Sequence, residues 1–281
     1  MTAADRTTSE ADDALARRMA AAVAFADMAR EVTLSYFSRR GTPVEQKRDG
    51  TPVTAADRGA EELLRREILR EFPSDGVLGE EFGETDGTSG FRWVLDPVDG
   101  TKSFICGVPL WGTLIGLEER GRSVGGVIDI PGLDERVWGA RGLGAHHSAA
   151  GRVARASVSG VASLADAVLV TTATRTFENA GRWQTYRDLQ KAAKITRGWS
   201  DAYGFLLVAT GRADAMVEPV VAIWHVAAVA PVIEAAGGQF TDWHGEATTT
   251  GGEGIATNGR LHEQVLAITR RAARNLPGAG E

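Results

Sequence analysis

Apolar positions recur at helical spacing in some stretches of the chain and as short β-prone runs in the others. From 14 to about 40, Met19, Ala22, Val23, Ala26, Ala29, Val32, Leu34 and Phe37 keep one broad apolar face, and Gly41-Thr42-Pro43 closes it. Thr54 is placed to cap a second helix over about 55–72, with Asp57 at its third helical position, where an acid favours the helix dipole. Short apolar runs at 77–83 and Trp93-Val94-Leu95 read as strands, and Pro97 is expected to stop the second. Runs at 114–117, 125–130 and 136–140, punctuated by Gly121, Pro131-Gly132 and Gly142, predict an antiparallel region. Beyond it, strand and helix patterns alternate. Strands are expected at 167–171, 215–219, 239–242 and 255–258, and helices at about 180–193, 204–210, 227–236 and 261–276.

This order predicts a layered α/β chain in two halves, 14–155 and 156–276, meeting around 151–163. The polar segments 1–13 and 277–281 read as disordered tails. No repeat or low-complexity segment interrupts the pattern.

Composition narrows the function classes. The chain has 281 residues, of which 43% are hydrophobic and 24% charged, so it can bury a large core. Its net charge is −6 with no basic run, which argues against a nucleic-acid partner. One cysteine, Cys106, rules out an internal disulfide. No apolar stretch reaches membrane-span length and no signal-peptide core opens the chain, so no membrane partner and a cytoplasmic location are expected.

The chemistry concentrates in Trp93-Val94-Leu95-Asp96-Pro97-Val98-Asp99-Gly100-Thr101-Lys102-Ser103-Phe104. Two acids three residues apart at a strand end repel one another if desolvated, and a hard cation removes that cost. The alternative is that Asp96 caps the turn and Asp99 the next helix. Gly100 permits close backbone approach, and Thr101 adds a hydroxyl at a helix start. Glu80-Glu81, at a similar strand end upstream, is either solvated surface or part of the same acid cluster. His146-His147, with no acid nearby in sequence, reads as a surface loop.

Asp96-Pro97-Val98-Asp99-Gly100-Thr101 resembles the metal-binding signature of the inositol monophosphatase-like family. The continuation Gly107-Val108-Pro109-Leu110-Trp111-Gly112-Thr113-Leu114-Ile115 resembles its histidinol-phosphate phosphatase branch. The resemblance implies an αβαβα sandwich, a homodimer, and hydrolysis of a small, amine-bearing alcohol phosphate. It implies that Glu80, Asp96, Asp99 and the Val98 carbonyl hold Mg2+, and that Glu80 also belongs to the catalytic set. Thr101, oriented by Asp57, would position the attacking water. The amides of Gly100 and Thr101 would hold phosphate oxygens. Ser200, Asp201, Ala202 and Glu218 would line the substrate pocket, two of them as acids suited to an amine or imidazolium.

The chain departs from this pattern at two positions. Trp224-His225 stands where the family carries Trp-Asp, the aspartate being a metal ligand, and Cys106 stands where the branch carries arginine. An imidazole at 225 suits Mn2+ or Zn2+ better than Mg2+. The rival readings are a repurposed or impaired phosphatase scaffold, and an inositol, sugar or nucleotide monophosphatase.

Overall fold

The first apolar face folds as α1 (Ala3–Tyr36) and buries Leu15, Met19, Ala22, Phe25, Ala26 and Ala29. The short antiparallel strands β1 (Val44–Gln46) and β2 (Pro52–Thr54) lead into α2 (Ala55–Glu71), which packs against α1. The structure is a computed structural model that describes residues 3–37, 44–46, 52–199 and 201–274. The expectations at Gly41-Thr42-Pro43, Ser200 and 277–281 lie outside the described residues. Helix α1 begins at Ala3 and not near 14, correcting the expected N-terminal tail. Segment 3–13 contains neither glycine nor proline, and extending an existing helix costs little per residue.

The chain then forms β3 (Gly76–Gly79), β4 (Gly83–Thr85), β5 (Phe91–Asp99), α3 (Thr101–Ile105), β6 (Gly112–Glu119), β7 (Arg122–Ile130), β8 (Glu135–Ala140), β9 (Gly144–Ala149) and β10 (Arg152–Arg155). These strands make an eight-stranded sheet in the order β10-β9-β8-β7-β6-β5-β3-β4. Its pairs are antiparallel except β3 with β5, which run parallel. Strand β5 does not stop at Pro97 but continues to Asp99. Its register against β6 shifts between Asp96 (opposite Leu114) and Asp99 (opposite Gly112), so one extra β5 residue is absorbed. A bulge is where a residue without an N–H is tolerated, and the Pro97 carbonyl accepts from the Thr113 hydroxyl at 2.8 Å. His146 and His147 lie on β9, not in a loop, and His147 Nε2 sits 2.6 Å from Glu135 on β8.

The second half continues with β11 (Val168–Thr171), α4 (Thr174–Asn179), α5 (Trp183–Ala192), β12 (Ile195–Gly198), α6 (Asp201–Ala209), β13 (Ala215–Glu218), α7 (Ile223–Val226), α8 (Val229–Ala235), β14 (Gln239–Thr241), β15 (Gly254–Thr257) and α9 (His262–Arg274). Its five-stranded sheet has the order β12-β11-β13-β15-β14. β11 is parallel to both neighbours, and β15 antiparallel to both of its own. The helix expected over 227–236 appears as α8, preceded by the separate short helix α7, and Ala227 and Ala228 between the two keep right-handed helical backbone. Pro231 has no N–H to offer the Ala227 carbonyl, so the ladder breaks there.

Helices α1 and α2 cover one face of the large sheet, α6 and α8 fill the space between the sheets, and α5 and α9 cover the far face of the small sheet. The result is the layered α/β sandwich expected. The middle layer is tight: a Cβ on Gly126 would lie 2.2 Å from the Ala228 carbonyl oxygen. Among the described residues no helix is long and apolar enough to cross a membrane.

Candidate active site and metal centre

Parallel strands β3 and β5 place Gly79 opposite Leu95, so the residues that follow them emerge side by side. The last rung between them is the Glu80 N–H donating to the Leu95 carbonyl at 3.2 Å. Glu80 is the first residue of the turn after β3, and Asp96 begins the bulge of β5. His225 arrives from α7, and one ligand atom from each of Glu80, Asp96 and His225 lies within 4.8 Å of the other two. Asp96 Oδ1 accepts the Val98 N–H at 3.2 Å. Asp96 Oδ2 is buried without a hydrogen-bond donor and faces His225 Nε2 at 3.8 Å.

The acids crowd each other. Burial, then the charges of Glu80, Asp99 and Asp57, hold Asp96 well above the usual carboxylate range. Burial, then Asp201 and Glu80, push Asp99 the same way, against a hydrogen bond from the Ala202 backbone. Burial, partly opposed by the Thr172 N–H, lifts Glu218 from 4.5 to about 8. Its Oε1 accepts from the Thr171 hydroxyl at 2.9 Å and from the Thr172 N–H at 2.5 Å. Glu218 at the end of β13 and Asp201 at the start of α6 both bear electrostatically on Asp99, so both halves of the chain meet at one acidic site.

A divalent cation fits these residues. The donor set is mostly carboxylate, one buried oxygen of Asp96 lacks a partner, and mutual repulsion is the cost a cation relieves. Gly100 takes a left-handed backbone, φ +84°, which turns the chain from β5 into α3. Thr101 opens that helix, and its hydroxyl donates to the Val98 carbonyl at 3.2 Å.

The hydrogen bond implied between Asp57 and Thr101 is not made. Asp57 Oδ2 accepts the Thr54 N–H at 2.9 Å and the Thr54 hydroxyl at 2.6 Å, forming a capping box at the start of α2. A local cap satisfies an amide of Asp57's own helix without any long-range approach. Ala202 is buried beside β6, where a Cβ on Gly112 would meet its Cβ at 2.7 Å. Cys106 is an exposed free thiol at the end of α3.

Sequence reasoning missed Glu61. It is fully buried, and its carboxylate accepts the N–H groups of Glu81 at 2.8 Å and Phe82 at 3.2 Å. Its position four residues after Asp57, on the same helix face, was the available signal.

A histidinol-phosphatase of Chlorobaculum parvum is 40% identical over 255 residues, covering 90% of this chain and 97% of the relative. A histidinol-phosphatase of Mycobacterium tuberculosis is 42% identical over 246 residues, covering 87% of this chain and 95% of the relative. Among solved structures, an inositol monophosphatase from Zymomonas mobilis superimposes with a TM-score of 0.79 at 32% identity, covering 90% of this chain and 98% of that one. The inositol monophosphatase of Anabaena gives 0.78 at 29% identity, over 95% and 98%. These relatives are phosphoric monoester hydrolases, and such enzymes are metal-dependent, usually with Mg2+. The family model for inositol monophosphatases matches residues 14–274, and this chain belongs to that family.

Proposed function

We propose that this chain is a divalent-metal-dependent phosphomonoesterase whose substrate is L-histidinol phosphate. The observation that carries the reading is the cluster of acids at the adjoining ends of β3 and β5, Glu80 half-buried and Asp96 and Asp99 buried, beside the Gly100–Thr101 turn. The substrate follows from the relatives named as histidinol-phosphatases and from two further acids, Asp201 and Glu218, that bear on the same site. A cationic amine or imidazolium is the complement of those acids.

Glu80, Asp96, Asp99 and the Val98 carbonyl would hold the cation, with His225 as a nitrogen donor. When bound, a divalent cation supplies Lewis-acid polarisation of the phosphate and of water at neutral pH. The rest falls to the chain. Thr101 donates its hydroxyl proton to Val98, so its oxygen lone pairs can accept from a water and aim it in line with the scissile bond. The water oxygen forms the new P–O bond as the ester P–O bond breaks, and one proton of that water ends on the leaving alkoxide, which departs as the alcohol. The Gly100 and Thr101 amides would donate to the phosphate oxygens. Asp57 acts from behind by holding the start of α2. Cytoplasmic residence and a homodimer belong to this proposal, the latter checked by light scattering.

The test is phosphate release from histidinol phosphate, inositol, sugar and nucleotide monophosphates with Mg2+, Mn2+ and Zn2+ in turn. Histidinol phosphate is expected to give the highest kcat/KM. Release from no ester with any cation would overturn the reading and favour a repurposed scaffold, for which His225 is the motivating feature.

A further inference from the structure

The turn after β3 leaves the sheet, yet its amides are held in sequence. The Glu80 N–H donates to Leu95, the residue before Asp96. The next two N–H groups, of Glu81 and Phe82, both donate to the carboxylate of Glu61 from α2. Glu61 has no solvent exposure, so its charge needs a partner in the interior. Arg65, one turn further along α2, provides it: Nε donates to Glu61 Oε1 at 2.8 Å. The other guanidinium nitrogens grip the far side of the same turn, at the Gly83 carbonyl and at Thr85 Oγ1, 3.2 Å away. The strand is cut to admit this arrangement. A Cβ on Gly79 would lie 1.9 Å from Glu61 Oε1.

We propose that Glu61, braced by Arg65, is a positioning residue that fixes Glu80 as a donor to the candidate metal centre. The inference rests on the metal-dependent reading above. Glu80 is the one acid of the cluster that lies off a regular strand or helix, so its backbone needs a support other than the sheet ladder. Glu61 ties that backbone to α2, the helix that also carries Asp57, while Leu95 ties it to β5, which carries Asp96. The carboxylate oxygens of Glu61 are occupied by amides and by Arg65, so it acts through the turn and not as a ligand. Outer partners of this kind set ligand orientation and hence affinity.

The experiment titrates the full chain with Mn2+ alone, reading free Mn2+ by electron paramagnetic resonance, and follows metal-free unfolding in parallel. Glu61→Gln keeps one acceptor and sets an amide against the other N–H, so Mn2+ affinity should fall by roughly tenfold. Arg65→Met, at the rim, removes the brace and should weaken Mn2+ binding by a smaller but measurable factor. Asp75→Asn is the comparison. Asp75 precedes the opposite end of β3 and loses bonds from Arg18, Ser89 and Trp93. It should lower metal-free stability but leave Mn2+ affinity within about twofold, as for an independent site. If Glu61→Gln does not fold, Arg65→Met decides by the same criterion. Unchanged Mn2+ affinity in the deciding variant, or an equal loss in Asp75→Asn, would make Glu61 a stability residue and overturn the proposal. A wild type that binds no Mn2+ would overturn the metal reading itself, and this inference with it.

Discussion

His225 Nε2 stands 3.8 Å from the orphaned Oδ2 of Asp96, while its Nδ1 accepts the Ala222 N–H at 3.2 Å. A neutral imidazole has one N–H and one lone pair. With the lone pair of Nδ1 spent on the cap of α7, the proton sits on Nε2 and points at the acids. Ligation through Nε2 therefore requires the proton to move to Nδ1, at the loss of one hydrogen bond, about 1 kcal/mol. An aspartate would cap with one oxygen and ligate with the other. His225→Asp should thus raise Mg2+ affinity by about tenfold or more, read by calorimetry, and raise Mg2+-dependent phosphate release. The wild type should turn over faster with Mn2+ or Zn2+ than with Mg2+. A variant with unchanged Mg2+ affinity would place the cation out of reach of position 225.

Asp99→Asn separates ligand from cap. Asp99 is buried among Asp201, Glu80 and Glu218, and its ionised form is disfavoured without a cation. The amide keeps the shape and removes the charge. Turnover should be lost, while metal-free stability at pH 8 stays equal to or exceeds that of the wild type in urea unfolding. Lost stability with retained turnover would mark Asp99 as a structural cap.

Thr101→Val tests the water-positioning role with little structural cost. Among the described residues the Thr101 hydroxyl hydrogen-bonds only to Val98, and the side chain is half-buried. Stability should change by no more than about 0.5 kcal/mol. Turnover should fall by roughly 10²-fold or more. A kcat near that of the wild type would assign the water to another group.

Glu218 links pH to stability. Its folded value of about 8 lies above the ordinary 4.5, so between those values the folded chain keeps a proton the unfolded chain has lost. Metal-free stability should therefore fall as pH rises through this window and level off above it. Asp96, Asp99 and Asp57, all shifted upward, act in the same direction. Glu218→Gln removes one proton's share of the slope, at most about 1.4 kcal/mol per pH unit. The same variant turns an amide toward the site, so kcat/KM for histidinol phosphate should drop relative to an uncharged ester. An unaltered slope and an unaltered substrate ratio would contradict both the burial and the recognition role.

Several features were legible in the sequence because they depend on neighbours along the chain. The apolar face of α1, the Thr54 cap of α2 with Asp57 in its first turn, and the glycine at the turn from β5 into α3 are local demands that residue type and spacing express. The string from Asp96 to Thr101 is contiguous, so its acids could be recognised together. The continuation of β5 past Pro97 and the break between α7 and α8 were less legible, because each depends on which backbone groups find partners across the fold.

The tertiary structure decided the rest. The register of β3 against β5 brings Glu80 to Asp96, and the middle layer delivers His225 from the other half of the chain. Packing of α2 on the turn after β3 buries Glu61 against two amides that no spacing rule connects to it. Burial, not residue type, lifts Glu218 to about 8. Periodicity records which face of an element turns inward. Desolvation and charge repulsion depend on distances between elements, and those distances come into being only when the layers close.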